Sequence, residues 1–231
     1  MKCVILAGGK GFRIFEYTKK IPKPMIKVAG KPIICHIINH YVKYGFKDFI
    51  IAAGYKKEII KNFFEKNQFP ELKIKIVNIG VNTMTGGRLK KLKKFLNNET
   101  FMMTYGDGIS NVNLKKLLKF HRKHKKIATL TSVRPPFRFG SIKISKNNHV
   151  KYFKEKSKLD SGWINGGFFV FEPKIFDYIK NDQTLLEKEP LQKISKRKQL
   201  FAYKHNGYWQ CMDTLKDKIL IEDRFMKLQS T

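Results

Sequence analysis

Short runs of β-branched residues alternate with helix-forming segments through the first half of the chain. Residues 2–6 predict a buried strand, and residues 32–44 carry apolar side chains spaced as on one helix face. Gly45 ends that helix, and residues 49–53 predict a second buried strand. Such alternation builds βαβ units, in which the strands are parallel. The sequence therefore predicts an α/β fold with a mixed, mainly parallel sheet flanked by helices.

The second half extends this pattern and then changes character after Pro135. Short alternating runs at 141–145 and 150–155 predict a small β-rich excursion at about 135–165. With 231 residues, 42% of them hydrophobic, we expect one domain spanning residues 1–231. The remaining predicted elements are strands at 74–77, 101–105, 128–133 and 167–171, and helices at 58–64, 87–96, 114–124, 173–180 and from about 214 onward.

The formal net charge of +30 would attract polyanions. However, Arg, which suits planar phosphate and base recognition, supplies only 7 of the 48 basic residues. The lysines are spread along the whole chain, and no RRM, KH or helix-turn-helix pattern is visible. We interpret the charge as a general property of the surface and expect no nucleic-acid partner.

Nothing in the sequence predicts a membrane segment or a disulfide framework. No apolar run approaches the roughly 20 residues that span a bilayer, and the run at the N-terminus ends at glycines. The three cysteines lack metal-site spacing, which favours reduced thiols. We therefore expect a cytoplasmic protein with no membrane partner.

A glycine-rich loop follows the first predicted strand directly. Residues 6–13 read Leu-Ala-Gly-Gly-Lys-Gly-Phe-Arg, at a strand end where open α/β sheets bind ligands. Glycines let backbone N–H groups approach phosphates, and Arg13 can hold one through two hydrogen bonds. The loop is neither a P-loop nor a GxGxxG motif. Alone, it is equally compatible with an ordinary turn.

A second motif places one lysine between two prolines at 21–25, Ile-Pro-Lys-Pro-Met. The prolines restrict the backbone, so Lys23 suits a polyphosphate cradle. A surface polyproline turn is the alternative.

Together and in this order, the two motifs resemble the signature of the sugar-phosphate nucleotidyltransferases. Within that family the chain is most similar to the glucose-1-phosphate cytidylyltransferases, chiefly through Thr-Gly-Gly-Arg-Leu at 85–89. The resemblance covers nearly the whole chain and implies a Rossmann-like fold of the nucleotide-diphospho-sugar transferase type. Further matching segments are 48–51, 54–56, 104–108, 128–131, 138–140, 155–156, 164–170 and 209–214.

The resemblance also implies roles for single residues, with Mg²⁺ as the cofactor. Asp107 and Asp213 would bind the metal, and Arg13, Lys23, Asp107 and Lys156 would be the catalytic residues. Glu155, Lys156, Asn165 and Gly166 would face the acceptor. The CTP site would comprise Leu6, Ala7, Gly8, Gly9, Gly11, Arg13, Lys23, Thr85, Gly86 and Arg88.

The implied reaction is an in-line attack by an acceptor phosphate on the α-phosphorus of CTP, with release of pyrophosphate. The nucleophile is already an oxyanion, so no general base is needed, whereas lysines and Mg²⁺ offset the charge repulsion.

Two of these residues also have simpler interpretations: Asp107 as a turn residue and Asp213 as a helix N-cap. His36 and His40 have metal-pair spacing, but we expect ordinary structural histidines.

Three departures from the family pattern concern the phosphate loop and the acceptor. Phe12 replaces a threonine, Ser157 replaces a proline, and the stretch between 64 and 83 is short. The acceptor is therefore left open between glucose 1-phosphate, for surface polysaccharide precursors, and a phosphorylated amino acid such as phosphoglutamine, for capsule modification. A non-catalytic nucleotide sensor and a basic nucleic-acid-binding protein are the alternatives of another class. We expect a homo-oligomer, as is usual in the family.

Overall fold

The computed structural model describes residues 1–96, 98–135, 141–154 and 162–229. Its strands are β1 (Lys2–Ala7), β2 (Lys27–Val28), β3 (Lys31–Pro32), β4 (Asp48–Ala53), β5 (Lys73–Asn78), β6 (Phe101–Tyr105), β7 (Gly108–Ser110), β8 (Ala128–Val133), β9 (Ser141–Ile144), β10 (Val150–Lys154), β11 (Ile164–Phe171), β12 (Leu200–His205) and β13 (Trp209–Cys211). Its α-helices are α1 (Phe15–Thr18), α2 (Ile33–Lys43), α3 (Lys57–Lys66), α4 (Thr85–Lys91), α5 (Lys93–Leu96), α6 (Leu114–His124), α7 (Glu189–Lys196) and α8 (Leu215–Gln229). Short 3₁₀ helices lie at Phe12–Ile14, Lys23–Met25 and Pro173–Tyr178.

A seven-stranded sheet in the order β12-β8-β11-β6-β1-β4-β5 forms the centre of the fold. Strand β1 runs parallel to both neighbours, β4 and β6, and its residues from Cys3 onward are buried. Strand β11 is antiparallel to β6 and β8, so the sheet is mixed, whereas β4–β5 and β12–β8 are parallel pairs. The predicted mixed, mainly parallel α/β fold is confirmed.

Helices cover both faces of this sheet. Alternate side chains of β1 point to opposite faces, so this one strand contacts both helical layers. Val4 and Leu6 belong to one apolar cluster, which includes residues of α4, α5 and α7. Cys3, Ile5 and Ala7 belong to the other, which includes residues of α2, α3 and α6. A strand buried on both faces reads as a continuous apolar run, which is why residues 2–6 and 49–53 were recognisable.

Some predicted elements differ in detail from the structure. The helix predicted over 87–96 is broken into α4 and α5, with Leu92 between them. The segment predicted as a helix over 173–180 is a 3₁₀ helix that ends at Tyr178. The β-rich excursion contains the antiparallel pair β9–β10, and its flanks at 136–140 and 155–161 lie outside the described residues. Its role toward the acceptor stays a prediction.

Helix α7 and strand β12 were not predicted from the sequence. Strand β12 lies at the edge of the sheet with no fully buried residue, and its apolar run is the short segment 200–203. Helix α7 has only eight residues and begins at Glu189-Pro190 within a strongly polar segment.

The two histidines of α2 are structural, as expected. His36 Nε2 lies 2.8 Å from the carbonyl oxygen of Val28, and His40 Nε2 lies 2.9 Å from that of Val112. Burial lowers the pKa of both rings, that of His40 to about 4. Each ring is therefore a neutral donor to a different carbonyl rather than half of a metal pair. Among the helices described, none is both long and apolar enough to cross a membrane.

The core predicts a sharp contrast between two phenylalanines. Phe171 is fully buried and packs on Phe101 and Phe169. Its replacement by alanine removes these contacts and leaves a cavity, so F171A should lower the free energy of unfolding by about 3–5 kcal/mol. Phe201 is 37% exposed on the edge strand, and F201A should cost about 1 kcal/mol. Urea denaturation measures both, and equal losses would contradict this account of the core.

Candidate active site

A cleft of about 670 Å³ opens where β1 and β6 end. Parallel neighbours present their carboxyl ends at the same edge of a sheet, so the loops that follow them converge there. The described residues lining the cleft are Leu6, Ala7, Gly9, Gly11, Phe12, Arg13, Lys23, Pro24, Thr85, Arg88, Thr104, Tyr105, Gly106, Asp107, Gly108, Asn165, Gly166, Gly167, Glu187, Trp209, Cys211 and Asp213.

The glycine-rich loop after β1 contacts Thr18 of helix α1 at Gly11. Gly11 has a φ of +66°, in the left-handed region that favours glycine. A side chain there would also meet Thr18, because a Cβ would lie 2.7 Å from Thr18 Cγ2. The Thr18 hydroxyl donates a 3.0 Å hydrogen bond to the carbonyl of Gly11. The loop therefore passes close to helix α1, and its glycines leave little side-chain bulk facing the cleft.

Lys23 is buried at the floor of this cleft, 8% exposed, in a 3₁₀ turn between Pro22 and Pro24. Its ammonium lies 2.6 Å from Asp107 Oδ2 and 2.7 Å from Asp213 Oδ1. The alternative of a surface polyproline turn is therefore wrong, because Lys23 is buried and its ammonium contacts two carboxylates.

Four charged groups form one compact cluster. Burial disfavours the charged form of Lys23, but Asp107 and Asp213 outweigh it and hold the pKa of Lys23 above its ordinary value. Arg13 adds a second cation, with Nη1 2.5 Å from Asp213 Oδ2, and its side chain is 73% exposed. Two cations thus balance two carboxylates, and Arg13 lies on the solvent side of the pair.

Asp213 is not the N-cap of α8, contrary to the simpler interpretation. The Asp217 carboxylate accepts hydrogen bonds from the N–H groups of Asp213 and Thr214, at 3.1 and 2.8 Å. The Thr214 hydroxyl in turn accepts from the Asp217 N–H at 3.2 Å, which completes a reciprocal cap. The carboxylate of Asp213 is thereby left to face Lys23 and Arg13.

Asp107 occupies a tight turn between β6 and β7, so the turn interpretation and the site interpretation are both met. The N–H of Gly106 donates to the carbonyl of Leu6 at 3.1 Å, which ties this turn to the end of β1. Strand β7 pairs with β13, placing Cys211 opposite Gly108, and the Met212 N–H donates to the Asp107 carbonyl at 2.9 Å. This pairing is what brings Asp107 and Asp213 together.

The two aspartates fit a hard divalent cation. Carboxylate oxygens of Asp107 and Asp213 and the sulfur of Cys211 all lie within 4.8 Å of one another. Mg²⁺ prefers oxygen ligands and is bound in proteins by one or two carboxylates plus phosphate and water. The ammonium of Lys23 already bridges the two carboxylates as a cation. Cys211 was not predicted, and burial, aided by Asp107, raises the pKa of its thiol, so it is a neutral neighbour.

The predicted nucleotide side is built on the start of α4. Gly86 and Gly87 pack directly on the 182–184 backbone, where a Cβ on Gly87 would lie 2.3 Å from the Asp182 carbonyl oxygen. Arg88 donates from Nε to the Thr83 carbonyl at 2.8 Å. Its guanidinium lies beside Gly9, with Nη1 3.6 Å from where a Cβ would stand. Arg88 is therefore positioned over the glycine-rich loop.

The predicted acceptor side is described only in part. The Asn165 side-chain oxygen accepts from the Gly167 N–H at 2.9 Å, and the Gly166 carbonyl accepts from Trp209 Nε1 at 2.7 Å. Both Asn165 and Gly166 line the cleft. The predicted residues Glu155 and Lys156, like Ser157, lie outside the described residues. The departure at Phe12 places a 71% exposed ring at the mouth of the cleft.

Glu187 is the residue of the cleft that sequence reasoning missed entirely. Its carboxylate accepts hydrogen bonds from the Thr85 hydroxyl at 2.6 Å and the Tyr105 hydroxyl at 2.5 Å. Burial, aided by Glu187, raises the pKa of Tyr105, which keeps the phenol protonated as a donor. Glu187 lies in a polar stretch without periodicity, so only tertiary contacts reveal it.

The chain matches a known protein family and its members over nearly its whole length. The profile of the family described as Nucleotidyl transferase matches residues 2–219. A glucose-1-phosphate cytidylyltransferase of Salmonella typhimurium (strain LT2) is 42% identical over 250 aligned positions, covering 98% of this chain and 96% of the relative. A probable glucose-1-phosphate cytidylyltransferase of Bacillus subtilis (strain 168) is 40% identical over 238 positions, covering 94% of this chain and 93% of the relative.

Solved structures share the fold over nearly the whole chain. HddC from Yersinia pseudotuberculosis complexed with GMP-PN superimposes with a TM-score of 0.78 at 24% identity, covering 97% of this chain and 99% of that chain. A putative glucose-1-phosphate thymidylyltransferase from Bacillus anthracis gives a TM-score of 0.76 at 22% identity and covers 96% of each chain.

The cap at Asp217 predicts a measurable loss of stability. D217A removes the acceptor for two N–H groups and the Thr214 hydroxyl, so the free energy of unfolding should fall by about 1–2 kcal/mol. D223A, in the body of the same helix, should change it by about 0.5 kcal/mol or less. Guanidinium denaturation of both variants measures the difference. Indistinguishable stabilities would show that the reciprocal cap does not hold Asp213 in place.

Proposed function

This chain belongs to the Nucleotidyl transferase family, and on that basis we propose that it transfers CMP from CTP to glucose 1-phosphate and releases pyrophosphate. The observation that carries the proposal is Lys23 bound to both Asp107 and Asp213 beside a glycine-rich loop. The nucleotide and the acceptor come from the relatives that are 40–42% identical.

The main barrier to this reaction is charge repulsion between an acceptor phosphate and a triphosphate. Arg13, Lys23 and Arg88 line one cleft, so three cations are available to phosphate oxygens. Lys23 and Arg13 are pre-positioned by the aspartates, which reduces the reorganisation needed when the anions arrive. The glycine-rich loop places backbone N–H groups at the same point. Positioning and charge stabilisation are what phosphoryl transfer requires of a protein.

Asp107 and Asp213 would hold Mg²⁺ in this reaction. A metal bound there supplies positive charge to phosphate oxygens and orients them. Lys23, which lies between the two carboxylates, would bind a phosphate oxygen of the substrates. No side chain has to remove a proton from the nucleophile, because a phosphate oxyanion attacks directly.

The product would be a cytidine-diphosphate sugar, a form that suits the supply of activated sugar to a surface polysaccharide. Thr85 and Arg88 are assigned to the nucleotide, and Asn165 and Gly166 to the acceptor. By the family resemblance, Glu155 and Lys156 would also contact the acceptor. The homo-oligomer remains a prediction.

Pyrophosphate release tests the proposal. The protein with MgCl₂ is offered CTP, ATP, UTP or dTTP, each with glucose 1-phosphate, another hexose 1-phosphate or a phosphorylated amino acid. We expect turnover with CTP and glucose 1-phosphate, and loss of it with EDTA. CTP binding with no pyrophosphate from any pair would favour a nucleotide sensor. Tight, salt-sensitive nucleic-acid binding without turnover would favour a basic nucleic-acid-binding protein.

Substitution of the two aspartates separates their role from general charge. D107N and D213N should each lower kcat by about 100-fold or more, because each removes a charged group from the reacting centre. D177N changes an exposed aspartate that does not line the cleft and should retain wild-type kcat. Steady-state pyrophosphate assays of the three variants make the comparison. Retention of full activity by either site variant would refute the assigned metal-binding role.

A further inference from the structure

Glu187 is the carboxylate of the described cleft lining that forms no salt bridge with a described lysine or arginine. The other two, Asp107 and Asp213, are bound by Lys23, and Asp213 also by Arg13. Arg88 is the cation whose pKa Glu187 affects, and that pKa is lowered mainly by burial. Within the described part of the chain, the negative charge of Glu187 therefore faces the cleft without a lysine or arginine in direct contact.

The hydrogen bonds of Glu187 fix its orientation but do not exhaust its capacity. A carboxylate has about four acceptor positions. Thr85 occupies one on Oε2 and Tyr105 occupies one on Oε1. Thr85 is itself fixed, because its hydroxyl accepts from the Leu186 N–H at 3.0 Å. About two acceptor positions are thus left on a rigidly held carboxylate at the cleft surface.

Tyr105 connects Glu187 to the acceptor side of the cleft. A Cβ on Gly167 would lie 2.7 Å from the Tyr105 ring, so the ring packs on the strand that carries Asn165 and Gly166. Through Thr85, Glu187 also contacts the side of the cleft assigned to the nucleotide. Glu187 therefore lies where the two substrate sides meet, and Tyr105 links it to the acceptor side.

We propose that Glu187 binds a hydroxyl group of the acceptor and rejects acceptors that carry a carboxylate. A neutral polyol donates O–H groups to a carboxylate, and such charge-assisted hydrogen bonds are strong. A carboxylate on the acceptor would instead face a like charge in a partly desolvated cleft. This inference rests on the proposed function and favours a neutral sugar phosphate over an acidic one, such as a uronic acid phosphate, as the acceptor.

The test compares E187Q and E187D with wild type under saturating CTP and MgCl₂. The probes are glucose 1-phosphate, its four monodeoxy derivatives and glucuronic acid 1-phosphate, which adds one carboxylate. E189Q is the matched control, since Glu189 pairs with Lys180 and Lys193 and does not line the cleft. Thermal unfolding of all variants establishes that each is folded.

We expect E187Q to raise KM for glucose 1-phosphate by about tenfold or more while KM for CTP stays within about twofold. One deoxy derivative should cost wild type about tenfold in kcat/KM and cost E187Q almost nothing, which identifies the bound hydroxyl. E187Q should also lose about tenfold of the discrimination against glucuronic acid 1-phosphate. E187D keeps the charge on a shorter side chain, so it should lose the hydroxyl contact and retain that discrimination.

An E187Q variant with unchanged acceptor KM, or one that raises KM for CTP alone, would overturn the inference while leaving the proposed function intact. Wild type that turns over CTP only with a phosphorylated amino acid would overturn the inference and correct the acceptor. Wild type that releases no pyrophosphate with any acceptor would overturn the proposed function, and the inference with it.

Discussion

The ammonium of Lys23, held between two carboxylates, is the interaction on which the rest of the site depends. Asp107 is 84 residues away in the chain and Asp213 is 190 residues away, yet both lie within 2.7 Å of the same atom. Removing one partner from so buried a cluster would leave an uncompensated charge, which is strongly unfavourable. The cluster therefore constrains the end of β6, the β7–β13 pair and the start of α8 simultaneously.

The backbone around the cluster explains how such distant segments are aligned. The glycine-rich loop follows the end of strand β1. The Gly106 N–H donates to the Leu6 carbonyl, which places the Asp107 turn beside the same strand end. The β7–β13 pair and the Asp217 cap then set the position of Asp213. In this arrangement, two cations and two carboxylates contact one another in a single cluster beside the glycine-rich loop.

Much of this organisation could be predicted from the sequence, because buried parallel strands leave contiguous apolar runs and motifs mark strand ends. The runs at 2–6 and 49–53 fall on β1 and β4, whereas the roles of Asp107 and Asp213 beside Lys23 were implied only by the family resemblance. What could not be predicted depends on tertiary contact. Strand β12 is an edge strand with no fully buried residue, and Glu187 is distinguished only by the hydroxyl groups of Thr85 and Tyr105 that donate to it. Whether Asp213 caps helix α8 or faces the cleft likewise depends on a tertiary detail, since Asp217 accepts the hydrogen bond from the Asp213 N–H.

The most direct test of the central claim is ³¹P NMR of one mixture that contains the protein, MgCl₂, CTP and glucose 1-phosphate. The account predicts that the signals of CTP and the sugar phosphate decline together while those of pyrophosphate and a sugar-linked diphosphate ester appear in equal amounts. Unchanged spectra, or release of inorganic phosphate with formation of CDP, would contradict it, because the bond between the α- and β-phosphates would then not be the one that breaks.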